Sequence, residues 1–190
     1  EVPAKGGIAH SVVNKLLAAS DIVGTEAGAL LDRAPLDVRV NTLKASRDTL
    51  ELPVEGEALL APDGLRYPSG TQVEQWEAYR NGQIEVQDHG SQWACAAVDA
   101  KPGETVIDLC AGAGGKTLGL APLLTPEARI VTSDTDRGRL SRLKPRMERV
   151  GADNIETILL RPAHEMSALE HLKGKCDLVV VDAPCSGTGT

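Results

Sequence analysis

Hydrophobic residues change their spacing partway along the chain, and that change divides it. Upstream, Ile8, Val12, Val13, Leu16 and Leu17 recur at helical intervals over residues 8–19, and residues 26–33 suit a second helix. Residues 36–43 alternate as a strand does, with Val38, Val40 and Leu43 as the apolar members. Pro53, Pro62-Asp63-Gly64, Pro68-Ser69-Gly70 and Asn81-Gly82 then punctuate short strands or loops. This pattern predicts a small α+β domain over residues 1–84.

Over residues 85–190 helical and strand patterns alternate. A helix over 91–100 and a turn at Lys101-Pro102-Gly103 lead to a strand holding Val106, Ile107 and Leu109. A helix over 116–124, a strand over 128–134 and a basic helix interrupted or bent at Pro145 come next. A strand over 156–160, a short helix over 164–172 and a strand over 177–182 complete the series. Repeated βα units imply right-handed crossovers and a parallel, Rossmann-like α/β sheet. The fourth strand of such a sheet is central, so Leu178–Val181 at its edge would be exposed and apolar. The chain therefore reads as a piece of a longer protein.

Composition narrows this picture little. Phenylalanine is absent and aromatics make up 2%, so the core must be built from Leu, Val, Ile and Ala. No apolar run is long enough to span a bilayer, and no signal peptide is evident. Cys95, Cys110, Cys176 and Cys185 are widely spaced, which argues against a disulfide framework or a zinc site and for a reducing cytoplasm. A net charge of −7 argues against an extensive nucleic-acid-binding surface. Positive charge is local, in Arg137, Arg139, Arg142, Lys144, Arg146 and Arg149. Those six read either as a solvated helix face or as an RNA backbone contact.

The chemistry centres on Cys110-Ala111-Gly112-Ala113-Gly114-Gly115-Lys116, between a buried strand and a helix. Glycines there permit a sharp turn and close approach of a ligand to the backbone. The stretch misses the phosphate-cradling P-loop because Cys110 stands where a first glycine is required, and misses the dinucleotide fingerprint at Thr117. A second strand ends in Asp134, at roughly the 20-residue spacing of an acid that holds ribose hydroxyls. Asp182 and Cys185 follow the last strand and so fall on the same rim. The combination implies a nucleotide-like cofactor beside a reaction centre.

Asp108-Leu-Cys-Ala-Gly-Ala-Gly-Gly-Lys-Thr117 together with Asp182-Ala-Pro-Cys-Ser186 resembles the bacterial rRNA cytosine-C5 methyltransferases of the RsmB (Sun) type. Arg39-Val-Asn-Thr-Leu-Lys44 and Val86-Gln-Asp-His-Gly-Ser-Gln92 fit the same family. The resemblance implies a methyltransferase sheet, S-adenosylmethionine as cofactor and rRNA as partner. It assigns Cys110 to Lys116 to the cofactor loop, Asp134 to the ribose, and Asp182 to the cytosine edge or the methyl group. It gives Cys185 an accessory role in product release, the attacking cysteine lying beyond residue 190. The family's acid after the third strand is absent, since that place reads Leu160-Arg161-Pro162-Ala163. For residues 1–84 it implies an RNA-binding accessory domain; a packing subdomain that shapes one wall of the cleft is the alternative. A metal-free monomer in the cytoplasm is expected. Two other functions stay open: a nucleotide hydrolase using Gly115-Lys116-Thr117 and Asp182, and a non-catalytic RNA-binding protein.

Overall fold

A computed structural model describes residues 34–124 and 127–184, together with Lys15, Ala18 and Ala19, which are helical. The rest of the helices expected over 8–19 and 26–33 lies outside the described residues, as does Cys185. Residues Leu36–Pro184 form one compact unit built on two sheets.

The first sheet contains β1 (Leu36–Val40), β2 (Glu57–Ala58), β3 (Gly64–Tyr67) and, after the short helix α1 (Glu77–Arg80), β4 (Ile84–Val86). It is antiparallel in the order β2-β3-β1-β4, with Val38 opposite both Leu65 and Val86. Strand alternation gives β1 two different faces. Val38 and Val40 are fully buried with Tyr67, Val73, Ala78 and Ile84. Asp37 and Arg39 on the opposite face are also buried. The strand stops at Val40, short of the Leu43 expected from the alternation. Asn41 turns the chain there, its Oδ1 accepting from the Leu43 N–H at 3.2 Å, and Leu43 is exposed.

The second sheet is parallel. Its elements are α2 (His89–Ala97), β5 (Thr105–Asp108), α3 (Gly115–Leu120), β6 (Arg129–Asp134), α4 (Arg137–Leu140), α5 (Leu143–Val150), β7 (Ile155–Leu159), α6 (Glu165–Leu169) and β8 (Leu178–Val180). The order is β7-β6-β5-β8, with Ile107 opposite Val131 and Val179. Both faces are covered, as a parallel sheet requires. Val106 and Ile130 pack with Leu118, Leu120, Leu143 and Val150, while Ile107 and Val131 pack with Leu172 and, partly buried, Leu169. This is the Rossmann-like α/β arrangement expected. Strand order reverses at β5, so the crevice beyond the carboxyl ends of β5 and β8 is where such sheets bind ligands. Val179 and Val181, at the β8 edge, are exposed.

Two prolines shape the helices differently from a simple bend. Pro145 cannot donate to the Ser141 carbonyl four residues back, and the basic helix divides at Ser141-Arg142. Pro145 itself lies in the first turn of α5, where no N–H is needed. Pro122, in the 3₁₀ turn after α3, likewise leaves the Leu118 carbonyl without its helical donor. Arg39 Nη2 fills that place at 2.9 Å.

Candidate cofactor site

The glycine turn is held across three strands. Beyond β5, the Leu109 N–H donates to the Val180 carbonyl at 3.0 Å and the Ala111 N–H to the Ser133 carbonyl at 3.0 Å. Gly112 (φ 57°) and Gly114 (φ 83°) adopt the left-handed backbone that glycine alone enters without strain. A side chain at Gly114 would also meet Leu143 Cδ1 at 2.1 Å. Gly115 differs. Its φ is ordinary and an added Cβ would meet nothing within 4 Å. The protein itself does not require glycine there; a ligand lying on the backbone would.

Gly115 opens onto a cavity of about 320 Å³, whose wall also includes Asp108, Cys110, Lys116, Arg139 and Asp182. Asp108 is buried, and its Oδ2 accepts from the Thr117 hydroxyl at 2.7 Å. Its Oδ1 has no well-formed hydrogen-bond partner, and the Cys110 amide lies near the carboxyl. Burial raises the Asp108 carboxyl above its ordinary value, against the pull of Thr117 and that amide. A cationic or N–H group of a ligand would satisfy this oxygen. Lys116 Nζ lies 2.6 Å from Asp182 Oδ2 and 3.5 Å from Ser91 Oγ. Burial, then the carboxylates of Asp134, Asp108 and Asp182, hold the Cys110 thiol above its usual range, so it is poorly suited to act as a nucleophile.

Of the residues expected at the site, Cys110, Ala111, Ala113, Gly115, Lys116 and Asp182 line this cavity. Gly112 and Gly114 supply the turn beneath it. Asp134 stands behind the loop, with Oδ2 accepting from the Gly112 N–H at 2.7 Å and Oδ1 from the Asp136 N–H at 2.7 Å. Its first structural task is therefore to hold the turn. Asp108, Arg139, Gln87 and Arg146 also line the cavity and were not assigned to the cofactor site from the sequence. Asp108 could have been, as the buried last residue of its strand; the two arginines carry no local signal beyond a basic helix.

That basic helix is divided in its roles. Arg146 and Arg149 reach back to Glu85 on β4, a buried carboxylate; Arg146 Nη2 is 2.7 Å from Oε2. Arg149 also lies over the Tyr79 ring, 4.0 Å from its centre. Arg137, Arg139, Arg142 and Lys144 are exposed. The choice between a solvated face and an RNA contact thus omitted what two of the six do. Trp76 packs edge-on against Tyr67, and Trp93 is half-exposed beside His89. Among the described residues no helix is long and apolar enough to cross a membrane, and no cluster of His, Cys, Asp or Glu is arranged to hold a metal ion.

A crystal structure titled as a methyltransferase homolog from Pyrococcus horikoshii shares this architecture, with a TM-score of 0.75 at 27% identity over 95% of this chain and 65% of that one. A parallel sheet reversing at β5, with a glycine turn and acids on its carboxyl rim, defines a Rossmann-like methyltransferase fold. The chain belongs to the family described as 16S rRNA methyltransferase RsmB/F, whose signature matches residues 95–190. A probable ribosomal RNA small subunit methyltransferase B from Bacillus subtilis is 32% identical over an alignment of 183 residues that covers 90% of this chain and 40% of that protein. A 25S rRNA (cytosine-C5)-methyltransferase from Arabidopsis thaliana is 31% identical over 166 residues, covering 82% of this chain and 28% of its own length. The chain thus spans less than half the length of these two relatives.

Proposed function

We propose that the protein transfers a methyl group from S-adenosylmethionine to carbon 5 of a cytosine in rRNA, and that residues 110–116 form its cofactor loop. Family membership supplies the reaction class, and the unfilled wall at Gly115 beside the unpaired Asp108 oxygen carries the cofactor assignment. The residues fit that group. Asp108 suits its ammonium, Lys116 its carboxylate, and Asp134 keeps lone pairs for a ribose hydroxyl. When bound, the cofactor supplies an activated methyl group.

Carbon 5 of cytosine is a weak nucleophile, so a thiolate must first add to carbon 6 and be eliminated after the C5 proton is removed. That cysteine is assigned outside the 190 residues, with Cys185 assisting product release and Asp182 facing the cytosine edge or the methyl group. The target base has to leave its stack to reach such a pocket. Residues 1–84 are read as the accessory part that meets RNA, and the protein as a cytoplasmic monomer.

Calorimetric titration of S-adenosylmethionine, and separately of Mg-ATP, tests the reading. Saturable binding of the first, weakened by Asp108→Asn, is the expected result. Binding of Mg-ATP alone would replace it with a nucleotide hydrolase.

A further inference from the structure

Glycine-rich loops are soft, and a cofactor bound by backbone groups needs their peptide planes held in one orientation. Two carbonyls flank Gly114, and each is gripped by a side chain anchored in the antiparallel sheet or the segment leaving it. Arg146 Nη1 donates to the Ala113 carbonyl at 2.7 Å, while its Nε and Nη2 bind Glu85 Oε2 at 3.2 and 2.7 Å. Glu85 belongs to β4 and is 2% exposed. On the other side, Gln87 Nε2 donates to the Gly115 carbonyl at 3.1 Å, and its Oε1 accepts from Arg39 Nε at 2.7 Å. Arg39 belongs to β1 and is itself buried. Each carbonyl shares its plane with the next amide, so the two grips aim the Gly114 and Lys116 N–H groups. The Gly114 N–H is spoken for, donating to the Ala111 carbonyl at 2.8 Å.

We propose that Gln87 and Arg146 are positioning residues for the cofactor loop, through which the antiparallel sheet sets cofactor affinity. This rests on the cofactor assignment made above, but the grip itself is made by the chain's own groups. Two variants separate it from simple packing. Gln87→Glu keeps the shape and gives buried Arg39 a carboxylate partner, but replaces the donor facing the Gly115 carbonyl with an oxygen. Arg146→Lys keeps charge beside Glu85 but loses the fork that spans Glu85 and Ala113.

The expected result for both is a protein that still unfolds cooperatively, with S-adenosylmethionine bound about tenfold more weakly. Amide hydrogen exchange of the peptide over residues 110–116, measured without ligand, should quicken about tenfold in parallel. Parent-like affinity and parent-like loop exchange in the variants would overturn the proposal. A parent that binds no S-adenosylmethionine would defeat the cofactor reading instead, and loop exchange alone would then decide the grip. If Arg146→Lys unfolds, Gln87→Glu decides.

Discussion

Lys116 Nζ and Asp182 Oδ2 lie 2.6 Å apart although 66 positions separate them in the chain. The contact ties the first turn of α3 to the segment after β8, so it joins the two halves of the site that the motifs define separately. Asp182 is 56% exposed at its side chain, and exposed ion pairs contribute about 0–1 kcal/mol. Asp182→Asn should therefore leave urea unfolding within about 1 kcal/mol of the parent. Under the proposed function it should still impair methyl transfer in the full-length enzyme by at least about tenfold. Parallel unfolding curves and methylation assays check the split.

The adjacent glycines should respond in opposite ways. Gly114→Ala forces a left-handed alanine against Leu143 and should cost about 1–3 kcal/mol. Gly115→Ala meets nothing in the protein and enters a helix start, where alanine is favoured by up to about 1 kcal/mol. Its stability should hold or rise while S-adenosylmethionine binding falls. Thermal melts paired with calorimetry on both variants would show whether only one of them fails to fold normally.

Two buried carboxylates set opposing pH responses. Burial works against the Asp37 charge, but the bond from Arg66, the His89 amide and the Arg66 charge prevail and hold its carboxyl below the ordinary range. Arg66 makes two bonds to it, at 2.7 and 2.9 Å. A depressed carboxylate stabilises the fold above its unfolded value of about 3.9, and that stability is lost as pH falls through the depressed value. Asp108 is raised, chiefly by burial, so its contribution is complete below about 3.9 and is lost as pH rises through the higher folded value. Urea unfolding across acid to neutral pH should show Asp37→Asn flattening the acid limb. Asp108→Asn should gain on the parent as pH rises.

The carboxyl end of α5 offers a further test. Asn41 Nδ2 donates to the Gly82 and Val150 carbonyls at 2.8 and 2.9 Å, and Lys44 Nζ to the Asn81 and Arg149 carbonyls at 2.9 and 2.7 Å. Asn41 is buried and Lys44 exposed. Asn41→Ala should cost about 1–3 kcal/mol because two buried carbonyls lose their donor. Lys44→Met should cost under about 1 kcal/mol, the worth of an exposed cation at a helix end. Denaturant midpoints at constant slope would measure both.

The parallel sheet was legible because its strands carry continuous apolar runs, and the glycine turn because its backbone demands show in residue type. Both properties are local. The direction of Arg146 and Arg149 was not legible, since it depends on Glu85, which β4 brings from a distant part of the sequence. The arginine, asparagine and lysine of residues 39–44 were read only as a family mark. Their work of supplying donors to the ends of α3 and α5 appears once those helices are packed against β1. Asp134 ends β6, where the spacing put it, yet spacing could not reveal that each of its oxygens accepts from a backbone amide.

β1 buries valines on one side and charged groups on the other, and this has a consequence for assembly. A slip of one residue in its pairing would drive Asp37 and Arg39 among Val73, Tyr67 and Ile84, and turn valines toward the bare Leu118 carbonyl. An unpaired charge in such surroundings costs many times the thermal energy. Slips of the strand by an odd number of residues are therefore incompatible with closing the two sheets on each other. The seam thus discriminates between strand registers that backbone hydrogen bonding alone would treat alike.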